Sequence, residues 1–142
     1  MTTLDALADE LRFADDAMRL EILLEYADRL PPLPEAYHAL RDAGLNRVDE
    51  CQAPVFLMVD VVDGKVKILA DVPEEAPTAR SFVALLLEAF NDQPPSVVAE
   101  APPDILHRLG LTGLLGMQRT RGLSAIYQRI KHEVARKTEA SS

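Results

Sequence analysis

Val55-Phe56-Leu57-Met58-Val59-Asp60-Val61-Val62-Asp63-Gly64-Lys65-Val66-Lys67-Ile68-Leu69-Ala70-Asp71-Val72 is the stretch whose reading decides the fold. Its first half is rich in β-branched and aromatic residues and is bounded by Pro54 and Gly64, which predicts a strand. Asp63-Gly64 is a strong hairpin signal, because the favoured two-residue turn needs a positive φ at both central positions. Lys65 to Val72 then alternates Val66, Ile68 and Ala70 against Lys67, Leu69 and Asp71, the pattern of a strand with one face on a core. Pro54 has no N–H to give a ladder, so it marks a strand start or an exposed edge. Two strands alone are marginal in water, and Arg47 to Glu50 is the nearest candidate for a third.

Helical periodicity flanks this hairpin on both sides. Leu4, Leu7, Ala8 and Leu11 recur at helical spacing, with Thr2 or Thr3 as a cap. A second helix from Asp15 places Leu20, Leu23, Leu24, Ala27 and Leu30 on one face and stops at Pro31-Pro32. Pro31-Pro32-Leu33-Pro34 reads as a stiff connector, since proline lowers the entropy lost on folding. Beyond the hairpin, Thr78 is expected to cap a central core helix in which Phe82, Leu85, Leu86, Ala89 and Phe90 follow the full apolar pattern. A short helix over Asp104 to Leu109 and a last one from Thr120, with Leu123, Ile126, Tyr127, Ile130 and Val134 inward, complete the order. Helices, hairpin, helices imply an α+β fold: a small antiparallel sheet of about three strands packed against helices. The 142 residues suffice for a single domain, 1–142, and no internal repeat divides them.

The only cysteine, Cys51, stands just before the first strand, where a loop feeds into the sheet. Such loops are common homes for side chains that act. With no second cysteine there is no intramolecular disulfide and no soft-ligand metal set. What remains is a nucleophile, a carrier of sulfur or an oxidation sensor, against the alternative of an inert, buried, small apolar side chain. His38, His107 and His132 are widely separated in sequence and lack a paired spacing, so no metal site is expected. No phosphate loop, dinucleotide glycine pattern or Ser/His/Asp arrangement accompanies the thiol.

The formal net charge of −8 is uneven: −7 over residues 1–50, −6 over 51–104 and +5 over 105–142. An acidic whole repels phosphate backbones and disfavours a nucleic-acid partner. The basic residues near the end are expected to pair with the acidic body or to face water. Met1 to Arg12 lacks the basic and apolar regions of a signal peptide. No apolar stretch is long enough to span a bilayer, so no membrane association and a cytoplasmic location are expected.

Three segments carry a family resemblance. Glu50-Cys51-Gln52-Ala53-Pro54-Val55-Phe56 resembles the Gly-Cys-Gln-Ser-Gln-Val-Trp signature of the SufE-type sulfur acceptors. Leu30-Pro31-Pro32-Leu33-Pro34-Glu35 fits upstream, and Gln118-Arg119-Thr120-Arg121-Gly122-Leu123 resembles the family's Ser-Arg-Ser-x-Gly-Leu downstream. The resemblance spans nearly the whole chain and implies the compact fold shared with U-type iron–sulfur scaffold proteins. It implies that Cys51 takes persulfide sulfur from a cysteine desulfurase and passes it to an iron–sulfur assembly scaffold. It also implies stimulation of the desulfurase. The pyridoxal phosphate would belong to that desulfurase, with no cofactor bound by this chain. A regulator that stimulates the desulfurase without using Cys51 is the alternative.

The same resemblance assigns Arg119 a supporting place near the Cys51 loop, holding its backbone or favouring the thiolate. It offers Glu50, Gln52, Asp71 and Gly122 as partner-binding positions, with Gly122 also permitting close packing at the start of the last helix. A second copy of the chain is a further candidate partner. The sequence departs from the signature where Glu50 replaces glycine, Ala53 serine and Pro54 glutamine. The 71–80 loop is also about two residues longer by the same motif comparison. The adjacent acids Asp49 and Glu50 are expected to raise the thiol pKa and slow its spontaneous reactions.

Overall fold

Asp63 and Gly64 both take positive φ, 53° and 74°, as the tight two-residue turn between right-twisted strands requires. In this computed structural model, which describes residues 3–141, β1 (Phe56–Val62) and β2 (Lys65–Asp71) pair antiparallel from Phe56↔Asp71 to Val62↔Lys65. The register puts Leu57, Val59 and Val61 opposite Ala70, Ile68 and Val66. Of these six, all but the partly buried Val61 are buried, so one face of the ribbon belongs to the core.

The third strand expected over Arg47 to Glu50 shrinks to a single bridge, Arg47↔Phe56. Asn46 takes a left-handed φ of 57°, which breaks extended backbone before the bridge. Pro54 cannot donate after it. Only two bonds flank the bridge, Leu57 N–H to Asn46 O at 2.9 Å and Val48 N–H to Val55 O at 3.0 Å. The outer edge of β2 is covered differently. Val66 N–H donates to Gln93 O, and Ile68 N–H to Asn91 Oδ1. A two-stranded ribbon is thereby relieved of much of its open edge by loops.

The helices wrap this ribbon. α1 (Thr3–Arg12) buries Leu4, Leu7 and Leu11; the cap expected from Thr2 or Thr3 lies outside the described side chains. α2 (Asp16–Leu24) is capped by Asp15, whose carboxylate accepts from Met18 N–H at 2.9 Å, and runs into a 3-10 turn, Glu25–Arg29. After the proline connector comes another 3-10 turn, Glu35–Tyr37, and then α3 (His38–Asp42). α4 (Pro77–Phe90) is the centre of the core, and Phe82, Leu85, Leu86 and Phe90 are each at most 1% exposed. Burying each such side chain stabilises the fold by about 1.5–3 kcal/mol. Pro77, not Thr78, opens α4, with Ala76 as the flanking residue. Proline's fixed φ and missing N–H suit the first helical position.

α5 (Pro95–Glu100) begins the same way after Pro94, followed by α6 (Ile105–Arg108) and the long α7 (Met117–Ser141). α7 starts earlier than its expected Thr120, and Thr120 Oγ1 instead donates to Gly116 O at 2.7 Å. β1 lies against α7 and β2 against α4, so the fold is α+β with its sheet packed on helices.

Candidate functional site

Cys51 sits at the tip of a turn built on a buried anchor. Val48 is fully buried, and its carbonyl accepts from Cys51 N–H at 3.2 Å. The Val48–Val55 bond closes the loop at its base, and Arg129 Nη1 of α7 donates to Arg47 O at 2.9 Å. The side chain turns inward, leaving Cys51 only 8% exposed. Its Sγ donates to Gly122 O of α7 at 3.4 Å. A Cβ at position 122 would stand 3.3 Å from that sulfur, closer than most real contacts of this kind.

A cavity of about 280 Å³ opens beside the thiol, walled by three stretches distant in sequence. They are Cys51, Gln52 and Ala53; the run from Glu75 to Ala79 at the start of α4; and Gln118, Arg119, Gly122 and Leu123 of α7. The downstream motif thus meets the cysteine motif in space. Burial pushes the Cys51 thiol up to about 11, and the negative charge of Glu50 pushes the same way as the smaller cause. The direction matches the expectation from the adjacent acids, but desolvation leads, and of the two Glu50 is the one that contributes. At neutral pH Cys51 is a protonated thiol. That is the state in which it can be a hydrogen-bond donor to Gly122, and the state in which it is a poor nucleophile.

The other singled-out residues divide. Gln52 is exposed and lines the cavity, and Glu50 is exposed beside it. Gly122 is buried against Cys51. Arg119 lines the cavity but is exposed, and among the described residues its side chain makes no hydrogen bond or ion pair. The arginine that holds the loop backbone is Arg129, further along α7. Asp71 is not on the cavity; it ends β2 in an ion pair with Arg41 at 2.9 Å. None of the three histidines lines the cavity, so no imidazole stands ready to deprotonate the thiol. Among the described residues no three His, Cys, Asp or Glu side chains cluster as metal ligands would, and no helix is long and apolar enough to cross a membrane.

No motif announces the wall from Glu75 to Ala79. The signal available is Pro77, a residue suited to opening a helix, which lines the cavity at the start of α4. Arg80 fixes that wall from behind, its Nε donating to Ala27 O at 3.1 Å and its Nη1 to Val72 O at 2.7 Å.

A small α+β domain that shelters one neutral thiol between a sheet-entry loop and two helices is the class these features define. A family model described as SufE, Fe–S metabolism associated domain, matches residues 5–134. The chain belongs to the SufE family, and its biochemical setting is iron–sulfur metabolism. Among curated relatives, an uncharacterised SufE-like protein of Mycobacterium tuberculosis is 38% identical over 117 residues, 82% of this chain and 80% of the relative. One of Synechocystis is 31% identical over 117 residues, 82% of this chain and 70% of the relative. A hypothetical protein of Thermus thermophilus, solved in solution, superposes with a TM-score of 0.80 at 34% identity over 96% of both chains.

Proposed function

We propose that this chain is a sulfur carrier that takes persulfide sulfur from a cysteine desulfurase onto Cys51 and hands it to an iron–sulfur assembly scaffold. The observation that supports this best is the seating of the single thiol. It is protonated, nearly buried and bordered by a cavity of about 280 Å³, room enough for an added sulfur atom. A lone cysteine also suits a carrier, because no second thiol in the chain can attack the persulfide and discharge it.

In the transfer step, Cys51 loses its proton and its thiolate attacks the outer sulfur of the desulfurase persulfide. The new S–S bond forms as the donor's S–S bond breaks. The desulfurase thiol leaves with the electron pair and is reprotonated, so there is no net oxidation. Attack by a scaffold thiol then releases the sulfur in the same way. The pyridoxal phosphate that generates the sulfur sits on the desulfurase, and this chain contributes no cofactor of its own. Because the resting thiol is held neutral, the docked desulfurase must open the loop or supply the base.

Intact-mass measurement after incubation with a desulfurase and cysteine tests the proposal. The expected result is a gain of one sulfur atom, absent in Cys51→Ser. Stimulation of the desulfurase that survives in Cys51→Ser, with no sulfur ever found on the wild-type chain, would favour an allosteric regulator instead.

A further inference from the structure

The carrier reading gives no reason for the contact between Cys51 Sγ and the Gly122 carbonyl. A backbone carbonyl has two lone pairs, so one inside a helix can accept a second donor. We infer that the Gly122 carbonyl is a positioning group that holds the Cys51 loop closed only while Sγ carries a hydrogen, so that loading with sulfur itself releases the loop. The inference rests on the carrier reading and deepens it by making the empty and loaded states structurally different.

The chemistry of the loaded state carries the argument. Once Sγ has bonded to the incoming sulfur and the donor thiolate has left, Sγ is bonded to carbon and sulfur and bears no hydrogen at any pH. The S–H···O bond of 3.4 Å cannot exist. An electron-rich sulfur then faces a carbonyl oxygen, with a contact that no longer attracts. Glu50 and Gln52 on either side of the tip are exposed. Besides the burial of the Cys51 side chain, the tip's other hydrogen bond is Cys51 N–H to Val48 O, while the Val48–Val55 and Arg129–Arg47 bonds hold the base of the loop. The absence of a side chain at Gly122 is what lets the sulfur approach. A methyl there would lie 3.3 Å from Sγ and 3.6 Å from Cys51 Cα.

Amide hydrogen exchange of Cys51, whose N–H is held by Val48 O, reads the latch. Cys51→Ala removes the donor and should exchange about 3–10-fold faster, the worth of one modest hydrogen bond. Cys51→Ser keeps an O–H donor and should exchange like wild type. Wild type treated with methyl methanethiosulfonate carries a Cys51–S–S–CH₃ group, with methanesulfinate as the leaving group. It has no hydrogen on Sγ and should exchange like Cys51→Ala. Amides of the β1–β2 ladder should be unchanged throughout. The inference is overturned if Cys51→Ala or the methylthio form is as slow as wild type, if Cys51→Ser is as fast as Cys51→Ala, or if the ladder amides accelerate equally. Sulfur uptake measured by mass decides the carrier reading separately, since exchange in these forms needs no desulfurase.

Discussion

Cys51, on which the proposed function turns, is with Tyr127 one of the two residues whose acidity its surroundings alter most. A thiol raised to about 11 exposes about a hundredfold less thiolate at neutral pH than one titrating near its ordinary 9.0, since each pKa step is a factor of ten. Alkylation by iodoacetamide in the free protein should therefore be slow at pH 7.5 and keep rising to about pH 11, where the thiol titrates. An inflection at or below pH 9 would show that the sulfur spends its time outside the cavity. Glu50→Gln should lower that inflection only slightly, because burial and not the carboxylate is the larger cause. Cys51 itself was legible as a lone thiol at a strand entrance within a recognisable motif. Its neutral state was half legible, through Glu50. Its hydrogen bond to Gly122 was not, because residues 71 positions apart meet only once α7 is packed on the sheet.

Elements were legible where a local rule acts and obscure where tertiary contacts choose. Asp63-Gly64 determined the hairpin, and Asp15 determined the start of α2. The missing third strand depended on Asn46 turning left-handed and on a loop that curls to seat Cys51, neither of which alternation reveals. One apolar stripe marked α4 as a core helix, yet Val83, Ala84 and Leu87 are buried as well, since it is enclosed by α2, β2 and α7. The start of α4 matters most for the site, and it is fixed by Arg80. Arg80→Met keeps the apolar stem but removes two charge-assisted bonds to Ala27 O and Val72 O. Hydrogen bonds from charged groups are worth about 1.5–3 kcal/mol each before relaxation, so a loss of about 2–3 kcal/mol is expected in urea unfolding. The same variant should alkylate faster at Cys51, because the Glu75–Ala79 wall loosens. Loss of stability with unchanged alkylation would show that Arg80 supports α4 without shaping the cavity.

At the scale of the whole molecule, the bases of the chain's end divide, among the described residues, between an exposed ion pair with the acidic body, Arg108–Asp104, positions that face water, as Arg119 and Arg121 do, and bonds within or alongside α7. Arg129 and Lys131 of α7 bond to backbone carbonyls of Arg47, Val98 and Ala101, and Arg136 pairs with Glu133 on its own helix. Ion pairs such as Arg108–Asp104 and Arg136–Glu133 lie largely in solvent, where each is worth little. Stability against pH is therefore governed by a few buried protons instead. Burial raises Cys51 to about 11, and burial with the Asp104 charge raises Tyr127, whose hydroxyl donates to Pro102 O, to about 12. In both, the folded pKa lies above the unfolded one. Their stabilisation is complete below the unfolded values, 9.0 for cysteine and 10.0 for tyrosine, and is lost as pH rises through the folded ones. At the acid end the sign reverses. Hydrogen bonds from Lys67 and Arg108 hold Asp92 and Asp104 below their usual 3.8, so their small contributions are present above that value and vanish beneath it. The thermal midpoint should be level between these limits and fall on the alkaline side in two overlapping stages, cysteine first. Cys51→Ala should lack the first stage: its midpoint should stay flat from pH 9 to about 10 while wild type declines, and then both should fall together as Tyr127 titrates. Parallel decline of the two proteins from pH 9 would mean that the thiol is as free to ionise in the folded chain as in the unfolded one, and the sheltered site would not exist in solution.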